Sequence, residues 1–262
     1  MKKVMMLVGL MLMVVVVVGC GDNGNGTSDN GDAETPILRM GTSADYQPFQ
    51  FIEIIDGEEV IVGFDIDVAQ HIADALGMEL VIYDMNFDTL ITALRSDRVD
   101  MVLASMTPTE ERAEVVDFSN VYYQSNPGAV LSATNLVELE DLNGLTIGVQ
   151  TGTLQEDIAN DLIENGMDLE LIVMDRIPDL VQQILVGRVD AVIVNILTAE
   201  GYAANHEGLY VVDIIPPVAL GAAIAFPQGS DLVDQVNEIL AEMEADGTMA
   251  DLIQQWLAGA DY

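Results

Sequence analysis

Between Gly63 and Leu76 the chain reads G-F-D-I-D-V-A-Q-H-I-A-D-A-L: one glycine, two carboxylates at alternate positions, then apolar residues at helical spacing. A strand turns into a helix here. Gly63 can take a backbone angle that other residues resist, Asp65 is placed to cap the first free amides, and Asp67 sits where the helix dipole favours negative charge. Ile66, Ala69, Ile72, Ala73 and Leu76 fall on one face, which predicts a core helix over 65–76 behind a strand at 60–64. Taken by themselves, the two carboxylates belong to a well-capped core helix. The segment fixes a βα unit, and the chemistry of such chains lies in the loops nearby.

Outward from this unit, short apolar strands alternate with amphipathic helices. Strands are predicted at 37–42, 49–55, 78–83 and 100–104, helices at 87–97 and 109–116, and D-G-E-E at 56–59 forms a hairpin turn. A second set follows, with strands at 129–132, 145–150, 169–174 and 190–194 and helices at 153–165 and 178–187, the last carrying Pro178 in its first turn. A strand at 221–226, a turn at 227–230 and helices at 231–245 and 249–257 complete the pattern. L-R-S-D-R-V-D-M-V-L at 94–103 is echoed by L-V-G-R-V-D-A-V-I at 185–193, each a helix end, a tight turn and a buried strand. Two similar α/β lobes explain this better than one large sheet, and 262 residues, half of them hydrophobic, suffice to bury both. If the second lobe is inserted into the first, lobe 1 is 37–125 with 216–262 and lobe 2 is 126–215. The chain then crosses near 123–127 and 213–218, and two crossing strands make a hinge.

The first residues form a separate unit. Lys2 and Lys3 precede an uncharged apolar run from Val4 to Val18, then Gly19 and the single cysteine, Cys20. The run has signal-peptide length and falls short of the roughly 20 residues of a spanning helix. Val17-Val18-Gly19-Cys20 resembles the lipobox of bacterial lipoproteins, with valine in place of its usual leucine, which implies a signal peptide at 1–19 and a lipid on Cys20. One cysteine excludes an intrachain disulfide. Residues 20–36 are a polar run of Gly, Asn, Asp and Ser, a tether spanning about 20–24 Å as a flexible coil.

Charge narrows the partners. Without Lys2 and Lys3, six basic residues, all arginine, face 44 acidic ones, a formal charge of −38. Such a surface repels nucleic acid and anionic lipid, leaving the lipid anchor as the membrane contact. The absence of lysine from this part suits a saline or alkaline exterior, because arginine keeps its charge above pH 12 and salt screens the self-repulsion.

Arg112 is the most telling single residue. Thr109, Pro108, Val115 and Val116 stand three and four positions away, so no helical ion pair is available, and a cation is disfavoured near a helix N-terminus. Beside free amides, after the hydroxyls of Ser105, Thr107 and Thr109, its guanidinium makes a receptor for a carboxylate or another small anion; a tertiary salt bridge is the alternative.

G-F-D-I-D-V-A at 63–69, A-S-M-T-P-T-E-E-R at 104–112, D-F-S at 117–119, G-T-S-A-D-Y-Q-P-F at 41–49, V-Q-T-G-T at 149–153 and G-R-V-D-A at 187–191 resemble the polar amino-acid-binding proteins of bacterial ABC importers. The resemblance runs from about Ile37 to the end. It implies a two-lobe type II periplasmic-binding fold, each lobe a mostly parallel sheet flanked by helices, with two hinge strands. By resemblance Arg112 grips the ligand's α-carboxylate with amides at Thr107 and Thr153, Tyr46 and Phe87 sandwich the side chain, and the Ser105 carbonyl receives the α-ammonium. Asn195 stands where the family usually has an aspartate for that ammonium. It accepts hydrogen bonds but brings no charge. Gln50 replaces a frequent glutamate, which points to a polar or neutral amino acid. The implied protein is a monomeric, extracytoplasmic lipoprotein without metal or cofactor that delivers its amino acid to a membrane permease. Two alternatives share the fold: an enzyme of cyclohexadienyl dehydratase type, for which only His71 and His206 are available as histidines, and a sensory lipoprotein.

Overall fold

A computed structural model of the protein describes residues 35–124, 128–215 and 221–257. The predicted signal peptide, Cys20, nearly all of the tether and parts of both crossings lie outside the described residues. Strand β1 (Ile37–Thr42) is followed by a small antiparallel sheet of β2 (Asp45–Tyr46), β3 (Gln50–Ile55) and β4 (Glu58–Val62), which leads into helix α1 (Phe64–Leu76). Next come β5 (Glu79–Asp84), a 3-10 turn at Phe87–Thr89 that continues as α2 (Leu90–Arg95), β6 (Met101–Val102), α3 (Glu110–Ala113) and β7 (Asp117–Gln124). Then follow β8 (Ala129–Ser132), β9 (Thr146–Gln150), α4 (Leu154–Glu164), β10 (Glu170–Met174), α5 (Ile177–Leu185), β11 (Ala191–Val194), α6 (Ile196–Asn205) and β12 (Tyr210–Val212). β13 (Gly221–Phe226), α7 (Leu232–Asp246) and α8 (Thr248–Trp256) end the described chain.

The larger strands form two five-stranded sheets, ordered β5-β1-β6-β13-β7 and β10-β9-β11-β8-β12. β1 runs parallel to β5 and β6, and β9 parallel to β10 and β11. β13 is antiparallel to β6 and β7, as β8 is to β11 and β12. The same mixed arrangement therefore occurs twice, with half the pairs of each sheet antiparallel where a mostly parallel sheet was expected. The sequence echo maps onto the central strands β6 and β11. Its aspartates do the same work: Asp100 Oδ2 accepts the Arg39 amide of β1 at 2.8 Å, and Asp190 Oδ2 accepts the Thr146 amide of β9 at 2.8 Å.

Helical spacing gives α1 its buried face, on which Ile66, Val68, Ala69, Ile72 and Ala73 join Leu38, Met40 and Phe226 in the first core. Gly63 precedes it at φ 132°, and a Cβ there would stand 2.3 Å from the Phe49 carbonyl oxygen, so glycine is required. In the second lobe α5 turns Ile177, Leu180, Val181 and Ile184 onto the sheet, where they meet Leu131 and Val192. Truncating Leu180, fully buried, costs about 2–5 kcal/mol by the usual cavity cost.

Several expectations need correction. Asp65 does not cap α1: Gly63 is the N-cap, no side chain caps the helix, and the Asp65 carboxylate points instead to Ser105 and Tyr122. The helix expected at 87–97 is divided into a 3-10 turn and a six-residue helix, that at 109–116 is a single turn, and the strand at 100–104 shrinks to two residues. β2, β7, β12 and α6 are additional. β7 is held by long-range pairing with β13, with register shifts at Ala222/Ala223 and Ala223/Ala225, so no local alternation marks it.

Candidate ligand-binding site

One cavity of ≈ 530 Å³, including the solvent at its open mouth, is lined by all seven residues expected to bind ligand: Tyr46, Phe87, Ser105, Thr107, Arg112, Thr153 and Asn195. They reach it from different elements. Tyr46 comes from β2, Phe87 from the turn before α2, Ser105 and Thr107 from the loop after β6, and Arg112 from α3. Thr153 and Asn195 are the residues that cap α4 and α6, each accepting a helix amide through its side chain.

The Arg112 guanidinium is turned inward. Nη1 donates to the Thr107 carbonyl at 2.8 Å, Nη2 to the Gly152 carbonyl at 3.0 Å, and Cζ lies 5.3 Å from the centre of the Phe87 ring. Its local partner is thus a backbone oxygen, where the sequence offered no side chain. The ion pairs among the described residues are Arg39–Asp100 and Arg176–Asp84, so no carboxylate of the described residues pairs with the Arg112 head. Burial pulls its pKa below the usual value, against the attraction of Asp157 and Glu111. A guanidinium has five N–H donors, and carbonyls without charge leave its charge uncompensated. The amides of Thr107 and Thr153 are not spent on bonds within the described residues, so the site offers a cation and two amides to one small anion.

The two aromatic rings both line the cavity without contacting each other. Tyr46 Oη accepts the Asn195 amide at 3.0 Å and Gln155 Nε2 at 3.4 Å, and burial raises the phenol's pKa. Asn195 Oδ1 is committed to the Leu197 amide at 2.9 Å. Its position brings a neutral amide to the cavity, as the sequence implied.

Sequence reasoning passed over Asp45, Gln150 and Gln155, although the first two lie inside motifs that carried the family resemblance. Of the described lining residues Asp45 alone is a carboxylate and Arg112 alone a cation. Asp45 Oδ2 accepts Gln150 Nε2 and the Ile177 amide, both at 3.0 Å, and Oδ1 accepts the Ser43 hydroxyl at 2.9 Å. Tyr202 Oη donates to its backbone carbonyl at 3.0 Å. Burial raises the Asp45 pKa, opposed by the Ile177 and Ser43 donors. Nearer the surface Arg176 holds both oxygens of Asp84 at 2.9 and 3.1 Å, and its Nε reaches Asn86 Oδ1 at 3.1 Å. These bonds join the two sheets around the cavity. Gln50 also lines it and is 1% exposed, yet its Oε1 has no hydrogen-bond partner among the described residues. A buried acceptor left unpaired is costly unless something else supplies the donor.

The family model for bacterial extracellular solute-binding proteins, family 3, matches residues 38–259. The arginine-binding extracellular protein ArtP of Bacillus subtilis (strain 168) is 41% identical over 263 residues, covering 99% of each chain. Among solved structures, the substrate-binding protein of an amino acid ABC transporter has a TM-score of 0.79 at 38% identity, covering 84% of this chain and 98% of that one. An amino acid ABC transporter substrate-binding protein from Streptococcus pneumoniae, bound to L-arginine, has a TM-score of 0.77 at 30% identity, with 84% and 92% covered.

Proposed function

The chain belongs to the bacterial extracellular solute-binding proteins, family 3, and we propose that it is the receptor of an ABC importer that closes its lobes, 37–125 with 216–262 and 126–215, on one polar α-amino acid. The observation that carries this reading is the Arg112 head, sunk in the cavity and bonded to two carbonyls while no carboxylate of the described residues pairs with it. A ligand carboxylate supplies the missing charge. Tyr46 and Phe87 cover the ligand's aliphatic part, where rigid rings give contact area at small entropic cost. Ser105 and Asn195 flank the ammonium.

At the side-chain end, the Gln50 oxygen, unpaired among the described residues, asks for an N–H donor, and Asp45 provides the single carboxylate of the described wall. Both suit a side chain ending in an amide or a guanidinium. Glutamine fits the neutral reading drawn from Gln50, and arginine, which the Bacillus relative binds by its printed name, fits once Asp45 is included. Capture is noncovalent in this reading. With the signal peptide at 1–19 removed on export, the lipid on Cys20 and the tether at 20–36 anchor a monomer beside its permease. A thermal-shift screen against the twenty L-amino acids tests the proposal, because a ligand that binds only the folded state stabilises it by RT ln(1 + [L]/Kd). At ligand concentrations of about 1,000 Kd the melting temperature should rise on the order of 10 °C. A screen in which none of the twenty shifts it rejects the reading.

A further inference from the structure

We propose that Asp65, buried behind the cavity wall, is the positioning residue and counter-charge for the ammonium group of the bound amino acid, acting through Ser105. The inference rests on the amino-acid reading above. Asp65 is fully buried in the first turn of α1. Its Oδ2 accepts the Ser105 amide at 2.7 Å and its Oδ1 accepts the Tyr122 hydroxyl at 2.7 Å. Ser105 has φ 48°, a left-handed conformation that serine adopts rarely, and it lines the cavity. The carboxylate therefore fixes the strained residue on which an ammonium would rest, and puts a negative charge one residue behind it.

That charge has no other purpose visible in the fold. Among the described residues no cation bonds to Asp65, and burial pushes its pKa up to about 7 against the opposing Tyr122 and Ser105 bonds. From β7 the ionisable group facing it is the Tyr122 hydroxyl, and from the cavity loop it meets an amide. The acids on the elements that pack on α1, among them Glu58 and Glu59 of β4, Glu79 and Asp84 of β5, Asp246 of α7 and Asp251 of α8, are exposed. On the cavity side Asn195 is neutral and the oxygens of Asp45 already accept three donors. An ammonium at Ser105 is the cation this carboxylate lacks, and between the two lies protein rather than screening water.

Linkage fixes the signs. A bound ammonium favours ionised Asp65, so binding near pH 6 releases protons and affinity rises as pH increases through about 7. In the ligand-free protein the raised pKa acts oppositely: its stabilising contribution is complete below the unfolded carboxylate pKa and is lost as pH rises through about 7. Asp65→Asn keeps an oxygen for the Ser105 amide and removes the charge. It should melt no lower than wild type at pH 8 while binding more weakly there.

The test is calorimetric titration of the full chain with L-arginine, or with whichever amino acid the screen returns, at pH 6 and pH 8 in buffers of different ionisation heat. Wild type is expected to bind about fivefold or more tightly at pH 8 and to release protons at pH 6. Asp65→Asn should bind with one affinity at both pH values. The ligand lacking its ammonium, 5-guanidinopentanoate for arginine, should not distinguish the two proteins. Tyr122→Phe removes one donor from the carboxylate and should move the pH midpoint upward, which keeps the test intact if Asp65→Asn does not fold. Wild-type affinity independent of pH, or an Asp65→Asn variant that keeps the wild-type pH profile, overturns the inference. Failure of wild type to bind any amino acid at either pH overturns the functional reading itself.

Discussion

The two lobes repeat one strand order and bring different chemistry to the cavity between them. The first contributes the one carboxyl side chain and the one cation of the described wall, Asp45 and Arg112, and both rings, Tyr46 and Phe87; the second contributes Gln150, Thr153, Gln155 and Asn195, all neutral. The duplicated scaffold even keeps the same bond, Asp100 and Asp190 each holding the amide of a strand parallel to its own central strand. What differs lies at strand ends, in loops and at helix starts, where side chains can change without moving the sheet. The difference teaches a division of labour for the proposed receptor: the first lobe would recognise charge and shape, and the second completes the enclosure with amides, hydroxyls and the cross-lobe bonds to Asp45 and Asp84. In the proposed receptor closure is a two-state motion, favoured by whatever contacts exist only when both lobes touch the ligand.

The comparison breaks most visibly at Arg112. Arg112→Ala should leave a folded protein, with unchanged circular dichroism, whose affinity for its amino acid falls about 100-fold or more. Removing one partner of a desolvated charge pair costs roughly 3–5 kcal/mol. Near-wild-type titration would remove the first lobe's claim to charge recognition. The neutrality of the second lobe is sharpened by Asn195→Asp. Aspartate caps a helix as well as asparagine does, so α6 should persist while a carboxylate arrives beside the ammonium, and affinity at pH 7.5 should rise about tenfold. An unchanged Kd in the same titration would mean that the ammonium lies elsewhere.

How much of this was legible in the sequence depends on the range of the interaction. Strands at 37–42, 129–132 and 221–226 were read to the residue because each is a short apolar run bounded by turn formers. The echo around Asp100 and Asp190 gave the duplicated lobe because it repeats a local sequence. β7 was missed: D-F-S-N-V-Y-Y-Q has no clean alternation, and its strand state comes from β13, about a hundred residues away. α6 was missed because Gly201 interrupts it and its hydrophobic face is weak. For the site, motif resemblance brought seven residues to one cavity, yet Asp65 looked like an ordinary helix cap, since its partners Ser105 and Tyr122 lie 40 and 57 positions away. Asp45 hid in a quoted motif for the same reason.

The smallest expected effect concerns the rim. Arg176 and Asp84 pair across the lobes near the surface, where exposed pairs contribute about 0.2–1 kcal/mol. Arg176→Ala should weaken binding by up to about fivefold at low salt and by less in molar salt, because screening has already removed most of the pair's worth. An equal loss at both ionic strengths would show that Arg176 acts through packing.

The proposed contact between Arg112 and the ligand's carboxylate is tested most directly by a calorimetric cycle. The amino acid and its α-carboxamide are titrated against wild type and Arg112→Ala. The carboxamide should bind wild type about 100-fold more weakly than the acid, and the variant should bind the two alike. Equal binding of acid and carboxamide to the wild type would contradict the account.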